Sequence, residues 1–414
     1  MAITPEERAM IVSQDAWGRI IALLAAADGD IAGAEDALAA ALEKAVRTWP
    51  VDGVPDNPQG WLYRVARNAR RDVWKSAAAR TSVAFSPDLH DRPSRAEAAD
   101  GGDVDAVPDR RLELLAACAH PQIDPPTRPL LMLSAVLGMT GAQIAAAMAL
   151  PAATVSARLT RAKKRIAASG IGFELPDRSS MPARLEAILE AIYGAFAIEW
   201  VHAAAEPRAG TTGEALFLSR LVAELCPDDA ESHGLAALLH LSASRFPARR
   251  DAAGAFVPLA EQDPDRWDAS LVARGEHHLR NVHLCRSVGR FGLEAAIQIV
   301  HMSGIRRGRT DWPVLLRLHN DLEAMAPTLG GAVARSAVIA EISGPDAGLR
   351  ALDHAGDTAR IAGYQPAWTL RADLLRRSGR NAEAREAVAR AISLTTDPAE
   401  RDHLTGIAHR LGDD

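Results

Sequence analysis

The amino-acid sequence predicts an all-α protein. Apolar residues recur at three- and four-residue steps from end to end, no strongly alternating segment interrupts them, and alanine is abundant while aromatics make up only 4%. Alanine favours helix, whereas β-sandwiches draw on aromatic and β-branched side chains. With 414 residues, 48% of them hydrophobic, the chain has material for several cores. Its formal charge of −6 rules out a uniformly basic protein but leaves room for local basic faces. Cys118, Cys226 and Cys285 are far apart and odd in number, which speaks against a disulfide framework and for a reduced, cytoplasmic setting. No uncharged apolar run approaches the ~18–20 residues of a membrane span, and Met1–Met10 lacks the pattern of a leader, so no membrane partner is expected.

The elements follow in order. Ile20, Leu23, Leu24, Ala27 and Ile31 form one helical stripe, and Leu38, Leu42 and Val46 another. Residues 49–58 (WPVDGVPDNP) are turn chemistry, and a helix is expected from about 58 to 79. Residues 81–108 hold Pro87, Pro93, Pro108 and the pair Gly101–Gly102. From Asp88 to Glu113 eight acids face four arginines, the mark of an acidic flexible linker. A compact helical unit follows to about Ser169. The expected domains are residues 1–85, a linker at 86–109, a second domain at 110–172 and a helical region at 182–414.

The second domain carries the sharpest local signal. A helix from Arg128 is expected to stop at Gly138. Thr140 and Gln143 have capping-box spacing for a short helix bearing Ile144 and Met148. Leu150–Pro151 makes a turn, and Thr154 opens a longer helix. There Val155, Leu159, Ala162 and Ile166 form a buried stripe, while Arg158, Arg161 and Arg165 form an outward one flanked by Lys163 and Lys164. Between Leu150 and Phe173 there are five basic residues and no acid. A short helix, a turn and a longer basic helix suit the DNA major groove better than a merely solvated face.

A second basic helix lies upstream, WLYRVARNARRDVWKSAAAR at 61–80. Leu62, Val65 or Ala66, Ala69 and Val73 supply one face. Arg64, Asn68, Arg71 and Lys75 supply another, and Arg67, Arg70 and Arg80 add charge against the single acid Asp72. Cations track phosphate, and the interleaved Trp61, Tyr63 and Trp74 have the planes to stack on unpaired bases, although each tryptophan serves equally well as core.

These segments together, AEDAL at 34–38, NPQGWLYRVARNARRD at 57–72 and MTGAQIAAAMALPAATVSARLTRAKKRI at 139–166, resemble the bacterial sigma factors of the extracytoplasmic-function group (group IV). The resemblance implies two small helical sigma domains, the second a helix-turn-helix. It implies core RNA polymerase and promoter DNA as partners, with no cofactor and no catalytic residue of the chain's own. Glu35, Asp36, Leu38 and Leu42 would face the polymerase clamp. Trp61, Arg64, Asn68, Arg71, Asp72 and Lys75 would serve the −10 element, and Thr154, Ser156, Arg158, Arg161, Lys164 and Arg165 the −35 element. Ala39 and Ala40 stand where the group usually has Gln and an acid, and Ser156–Ala157 is a weak base-reading pair, so −35 specificity would lean on arginines and DNA shape. VPDRRLELLAACAHPQI at 107–123, EQDPDRWDASLV at 261–272 and a repeat-like end resemble a subgroup with a long tetratricopeptide-like extension.

Within that extension Trp368, Ala372, Gly379, Ala384 and Ala391 sit at repeat-consensus positions, and residues 335–353 look like a degenerate earlier unit turning at Gly344–Pro345. Such stacks present concave surfaces to a protein or small-molecule regulator. His277, His278, His283 and Cys285 tempt a zinc reading, but their spacing is not a standard one and a helix would spread them, so no metal is expected. Cys118 and His120 read as buried or capping residues. No phosphate loop, nucleophile elbow or H-E-x-x-H motif is present, and the acids of 261–268 read as a helix-capping turn, so the chain is read as no enzyme. The alternative is a stand-alone helix-turn-helix regulator with a ligand- or protein-binding repeat domain.

Overall fold

A computed structural model describes residues 16–80, 109–148, 150–177, 180–202 and 210–411. Among these the chain is helical throughout. The nearest approach to a sheet is one isolated antiparallel bridge between Arg250 and Phe256. The helices divide between two compact units, one of residues 1–198 and 208–218, the other of 199–207 and 219–414.

In the first unit, α1 (residues 16–25) ends in a turn where Gly29 takes φ +75°. The stripe expected to run through Ala27 to Ile31 is broken there and Ala27 is exposed, because Asp28-Gly29-Asp30 is better turn than helix. Asp30 caps α2 (Ile31–Asp52), its carboxylate accepting from the Gly33 amide at 3.0 Å. Helix α2 continues through Pro50, past the point where the prolines predicted a turn. The buried Trp49 anchors this last turn, and the Gly53 amide closes it onto the Trp49 carbonyl. The core-facing stripe of α2 is Ile31, Ala34, Ala37, Leu38, Ala41, Ala45 and Trp49, while Val46 is 46% exposed. Small alanines on that stripe let α3 (Pro58–Arg80) approach closely. On α3 Gly60, Leu62, Ala66 and Arg70 are buried among the described side chains, and Val73, expected inside, is 63% exposed.

Next come α4 (Arg111–Cys118), α5 (Arg128–Ala135), α6 (Gly141–Ala147) and α7 (Ala152–Ser169). The capping box is present: the Gln143 amide donates to Thr140 Oγ1 at 3.3 Å and the Thr140 amide to Gln143 Oε1 at 2.8 Å. Ile144 and Ala145 of α6 are buried, while Met148, which stands at its C-cap, is 43% exposed. Helix α7 starts at Ala152, two residues before Thr154, directly after Pro151, which stands at its N-cap in extended conformation. Val155, Leu159, Ala162 and Ile166 are all buried, as their spacing predicted. The unit is completed by α8 (Pro182–His202) as far as Ile198 and by the start of α9 (Gly210–Leu225).

The second unit is built around α10 (Ala230–Ser244), buried along almost its whole length. It packs on α11 (Ala269–Leu284) and α12 (Arg290–Arg307). The α10–α12 crossing is set by two glycines: a Cβ on Gly234 would sit 2.5 Å from the Gly292 nitrogen. Asp268, from the acidic turn, caps α11 by accepting from the Ser270 and Leu271 amides. Beyond lie α13 (Trp312–Met325), α14 (Leu329–Ser343), α15 (Pro345–Asp353), α16 (Thr358–Ala362), α17 (Gln365–Arg377), α18 (Asn381–Leu394) and α19 (Pro398–Arg410). Helices α17 and α18 form a hairpin with Ala372, Ala384 and Ala391 buried between them, turning at Gly379 with φ +74°. Helices α14 and α15 form another, turning at Gly344 with φ +87°.

Candidate nucleic-acid interface

On α7 the outward row is real. Ser156, Arg161, Lys164 and Arg165 are exposed, and Thr154 and Arg158 are half-buried. Arg158, Arg161 and Arg165 share the wall of a 370 Å³ open cavity with Ile123, Asp124, Thr127 and Ala162. Arg161 Nε donates to the Ala157 carbonyl at 3.2 Å, which lays its guanidinium along the helix. Three guanidinium groups on one face of a helix that follows a capped helix and a tight turn form the kind of donor set that phosphate oxygens and base edges accept from.

On α3, Arg64, Asn68, Arg71 and Asp72 are exposed. Lys75 and Trp74 lie outside the described side chains. Trp61 is half-buried, its ring in edge contact with Trp49 at 5.5 Å between centroids, so part of its plane is committed to the protein. Arg67 lies 5.8 Å from the Tyr63 ring centre. Arg70, counted above among the cations of the segment, is only 7% exposed. It pairs with Asp28 and donates to the carbonyls of Leu24 and Asp30 at 3.3 Å. It pins α3 to the α1–α2 turn. Its place four residues after Ala66 and eight after Leu62 was the available signal.

The expected clamp residues fare differently. Asp36 is exposed and Leu42 half-buried, but Leu38 is fully buried in the α2–α3 core and has no face to offer. Glu35 is engaged within the chain: both its carboxylate oxygens lie 2.6 Å from Lys163 Nζ on α7. Burial pushes the Glu35 carboxyl up, against the opposing pull of the Lys163 ammonium. Both basic helices, α3 and α7, lie in the first compact unit. The linker residues 81–108 lie outside the described residues.

A buried ionic cluster sits at the start of the second helical segment. Arg111, 7% exposed, donates from Nε to Asp109 Oδ1 at 2.9 Å, pairs with Glu214 on α9 and stacks 4.3 Å from the Phe217 ring centre. Burial works against both charges, yet the Arg111 guanidinium holds the Asp109 carboxyl below its usual range, and the two acids raise Arg111. Asp109 sits beside Arg111 just ahead of α4. Cys118 is fully buried and burial pushes its thiol far up, which makes it a core residue.

The second unit holds an open cavity of 1170 Å³ lined by His233, His277, His278, Cys285, Arg220 and Arg274 among others. Three of the four His and Cys residues singled out in 277–285 thus share a wall; His283 is exposed elsewhere on α11. His233, which carries no local sequence signal of its own, joins them. Its Nε2 donates to the Pro227 carbonyl at 3.1 Å, and its Nδ1 lies 3.1 Å from His278 Nδ1. Among the described residues no three His, Cys, Asp or Glu are placed to hold a metal ion. No described helix is long and apolar enough to cross a membrane.

Comparison with known proteins adds the following. Residues 114–166 match the family "Sigma-70, region 4", and residues 184–283 match a family of unknown function, DUF6596. An uncharacterized protein of Rhizobium meliloti (strain 1021) is 35% identical over 377 residues, covering 90% of this chain and 88% of that protein. No solved structure matches. The sigma-70 region 4 match spans α4 to α7, the segment that carries the outward arginine row, and gives this chain a sigma-factor-like DNA-binding role.

Proposed function

The chain belongs to the same family as the rhizobial protein, and from its sigma-70 region 4 segment we propose that it is a promoter-recognition subunit of RNA polymerase, of the extracytoplasmic-function type. The chemistry of transcription belongs to the polymerase, and this chain supplies recognition. The observation that carries the reading is the α7 face, on which Arg158, Arg161, Lys164 and Arg165 point away from a fully apolar buried stripe in a segment matched to region 4. In this reading residues 110–172 bind the −35 element, with Thr154 and Ser156 near base edges and the cations forking onto bases and phosphates. Residues 1–85 bind the clamp through Asp36 and Leu42, joined by Glu35 once it is released. They serve the −10 element through Arg64, Asn68, Arg71, Asp72 and the exposed part of Trp61, with Lys75 on the same helix. Residues 86–109 form the acidic connection.

Residues 182–414 act as a tetratricopeptide-like regulatory domain. The α14–α15 and α17–α18 hairpins, turning at Gly344 and Gly379, support this reading. The cavity beside His233 and His278 offers such a regulator a small-molecule site, since a neutral imidazole and the Arg220 and Arg274 guanidinium groups line one space. The protein works where polymerase and chromosome are, in the cytoplasm. The exposed basic face of α7 within a compact unit also suits a stand-alone helix-turn-helix regulator, and gel shifts on promoter fragments separate the two. The sigma reading expects a retarded complex that requires core polymerase. Tight, sequence-specific duplex binding by the chain alone, unchanged by core polymerase, would establish the stand-alone regulator instead.

A further inference from the structure

We propose that the groove between the C-terminal half of α9 and α11 binds a short peptide with free ends, its carboxylate at Arg274 and Arg220 and its ammonium at Asp228. This rests on the reading of that cavity as a small-molecule site and gives the class of molecule it takes.

The cavity of 1170 Å³ is somewhat larger than the ~300–1,000 Å³ usual for one small ligand, and it is elongated. Three contacts fix its direction. At one end Cys285 Sγ lies 4.0 Å from the Pro227 carbonyl, so the C-termini of α9 at Leu225 and α11 at Leu284 stand side by side. His233, at the start of α10, donates to the same carbonyl at 3.1 Å. The other end is marked by Arg274, eleven residues before Cys285 on α11, or ~16 Å away at 1.5 Å per residue. His240 lies beneath that end, seven residues or ~10 Å along α10 from His233. Burial holds its imidazole down, and the Arg274 and Arg220 guanidinium groups add repulsion, which sets both cations over this end.

The two ends carry opposite charge. Arg274 is exposed on the wall and makes no ion pair among the described residues, while Arg220 pairs with Glu224 one turn further along α9. At the far end stands the exposed Asp228, beside two helix C-termini whose dipoles favour a cation. The middle is polar without charge. His278 is held down to about 3, first by burial and then by the imidazoles around it, and so stays neutral. Asn281, with Nδ2 3.4 Å from His277 Nε2, carries both a donor and an acceptor, the complement of a peptide group. A plain anion fits this lining poorly, because Glu224 already neutralises one arginine and Asp228 would face nothing. A single amino acid is too short to meet both ends. An extended peptide of four residues spans ~13 Å, and the long arginine side chains close the remainder.

The full chain, without polymerase or DNA, is dialysed against a random pool of tetrapeptides with free ends, and against the same pool N-acetylated or C-amidated. Retained peptide is quantified by mass spectrometry. The expected result is several-fold more of the free-ended pool than of either capped one. Arg274→Gln should abolish the penalty for amidation and leave that for acetylation, and Asp228→Asn should do the reverse. Both side chains are exposed, so neither change should move the urea midpoint. Equal retention of free and capped pools, or retention of none, overturns the proposal, as does a penalty that survives its matching substitution. Retention that depends on only one free end marks a simple anion or cation site and overturns it as well. With polymerase absent, the outcome is separate from the promoter reading. A chain that retains free-ended peptides yet never joins core polymerase overturns that reading alone, and core binding without retained peptide overturns the groove alone.

Discussion

Acidification should destabilise the second unit steeply. Burial holds His278 down to about 3, with His240, His233 and His277 beside it, and holds His301 and His319 down to about 4, with Arg245 and Arg335 adding repulsion. All three are therefore neutral in the folded protein between pH 7.5 and 5.5. In the unfolded chain each takes up a proton near pH 6.5. The folded pKa is depressed, so stability is full above the unfolded pKa and falls as pH drops below it. Each imidazole costs about 1.4 kcal/mol at pH 5.5 relative to 7.5, and the three together about 4 kcal/mol, against a total of roughly 5–15 kcal/mol for a domain. Near pH 5.5 these three contribute nearly three protons to the uptake on unfolding, and His240, also held down by burial, adds to it, while most unfolded carboxylates remain ionised and contribute little. Hydrogen exchange on peptides from 269–325, measured with urea at several pH values, reads this slope. His278→Gln should reduce it by about one proton. An uptake of one proton or fewer in the wild type would refute the claim that these imidazoles are buried and neutral.

Other consequences follow from single contacts. Gly234→Ala should cost the second unit about 1–3 kcal/mol in urea unfolding, since the new methyl meets the Gly292 backbone. Gly194→Ala in α8 meets nothing within 4 Å and should stabilise the first unit by about 0.5–1 kcal/mol; equal signs for the two would contradict the helix crossing. Arg111→Ala leaves Asp109 and Glu214 part-buried without their cation and should cost about 3–5 kcal/mol, whereas Lys164→Ala on the exposed face of α7 should leave unfolding unchanged. Arg158→Ala should weaken −35 binding by about 1–3 kcal/mol in a base-dependent way, measured by competition among site variants; a loss equal on all sequences would make it a phosphate contact with a salt slope lower by about 0.9.

Periodicity made the helices legible, and it did best where one residue type filled one face. The α7 stripe of Val155, Leu159, Ala162 and Ile166 and the Thr140–Gln143 box stand as their spacing required. It did worst where small or charged residues took core positions. Alanine carries little hydrophobic signal, so Leu42 and Val46 looked like the α2 core while Ala34, Ala41 and Ala45 formed it. Arg70 counted only as one more cation of the segment, yet it fills the buried position after Leu62 and Ala66 because Asp28 and two carbonyls satisfy it. Pairing across long sequence distance was beyond any local pattern. Nothing near Glu35 points to Lys163, 128 positions away, and nothing near Arg111 points to Glu214, 103 away. The His233–His278 contact is hidden for the same reason.

Purified full-length chain mixed with core RNA polymerase on a sizing column puts the promoter-recognition role to its most direct trial. The account predicts one-to-one co-elution that persists without DNA and yields transcripts from a matched promoter. A chain that elutes apart from the polymerase at every ratio would contradict it.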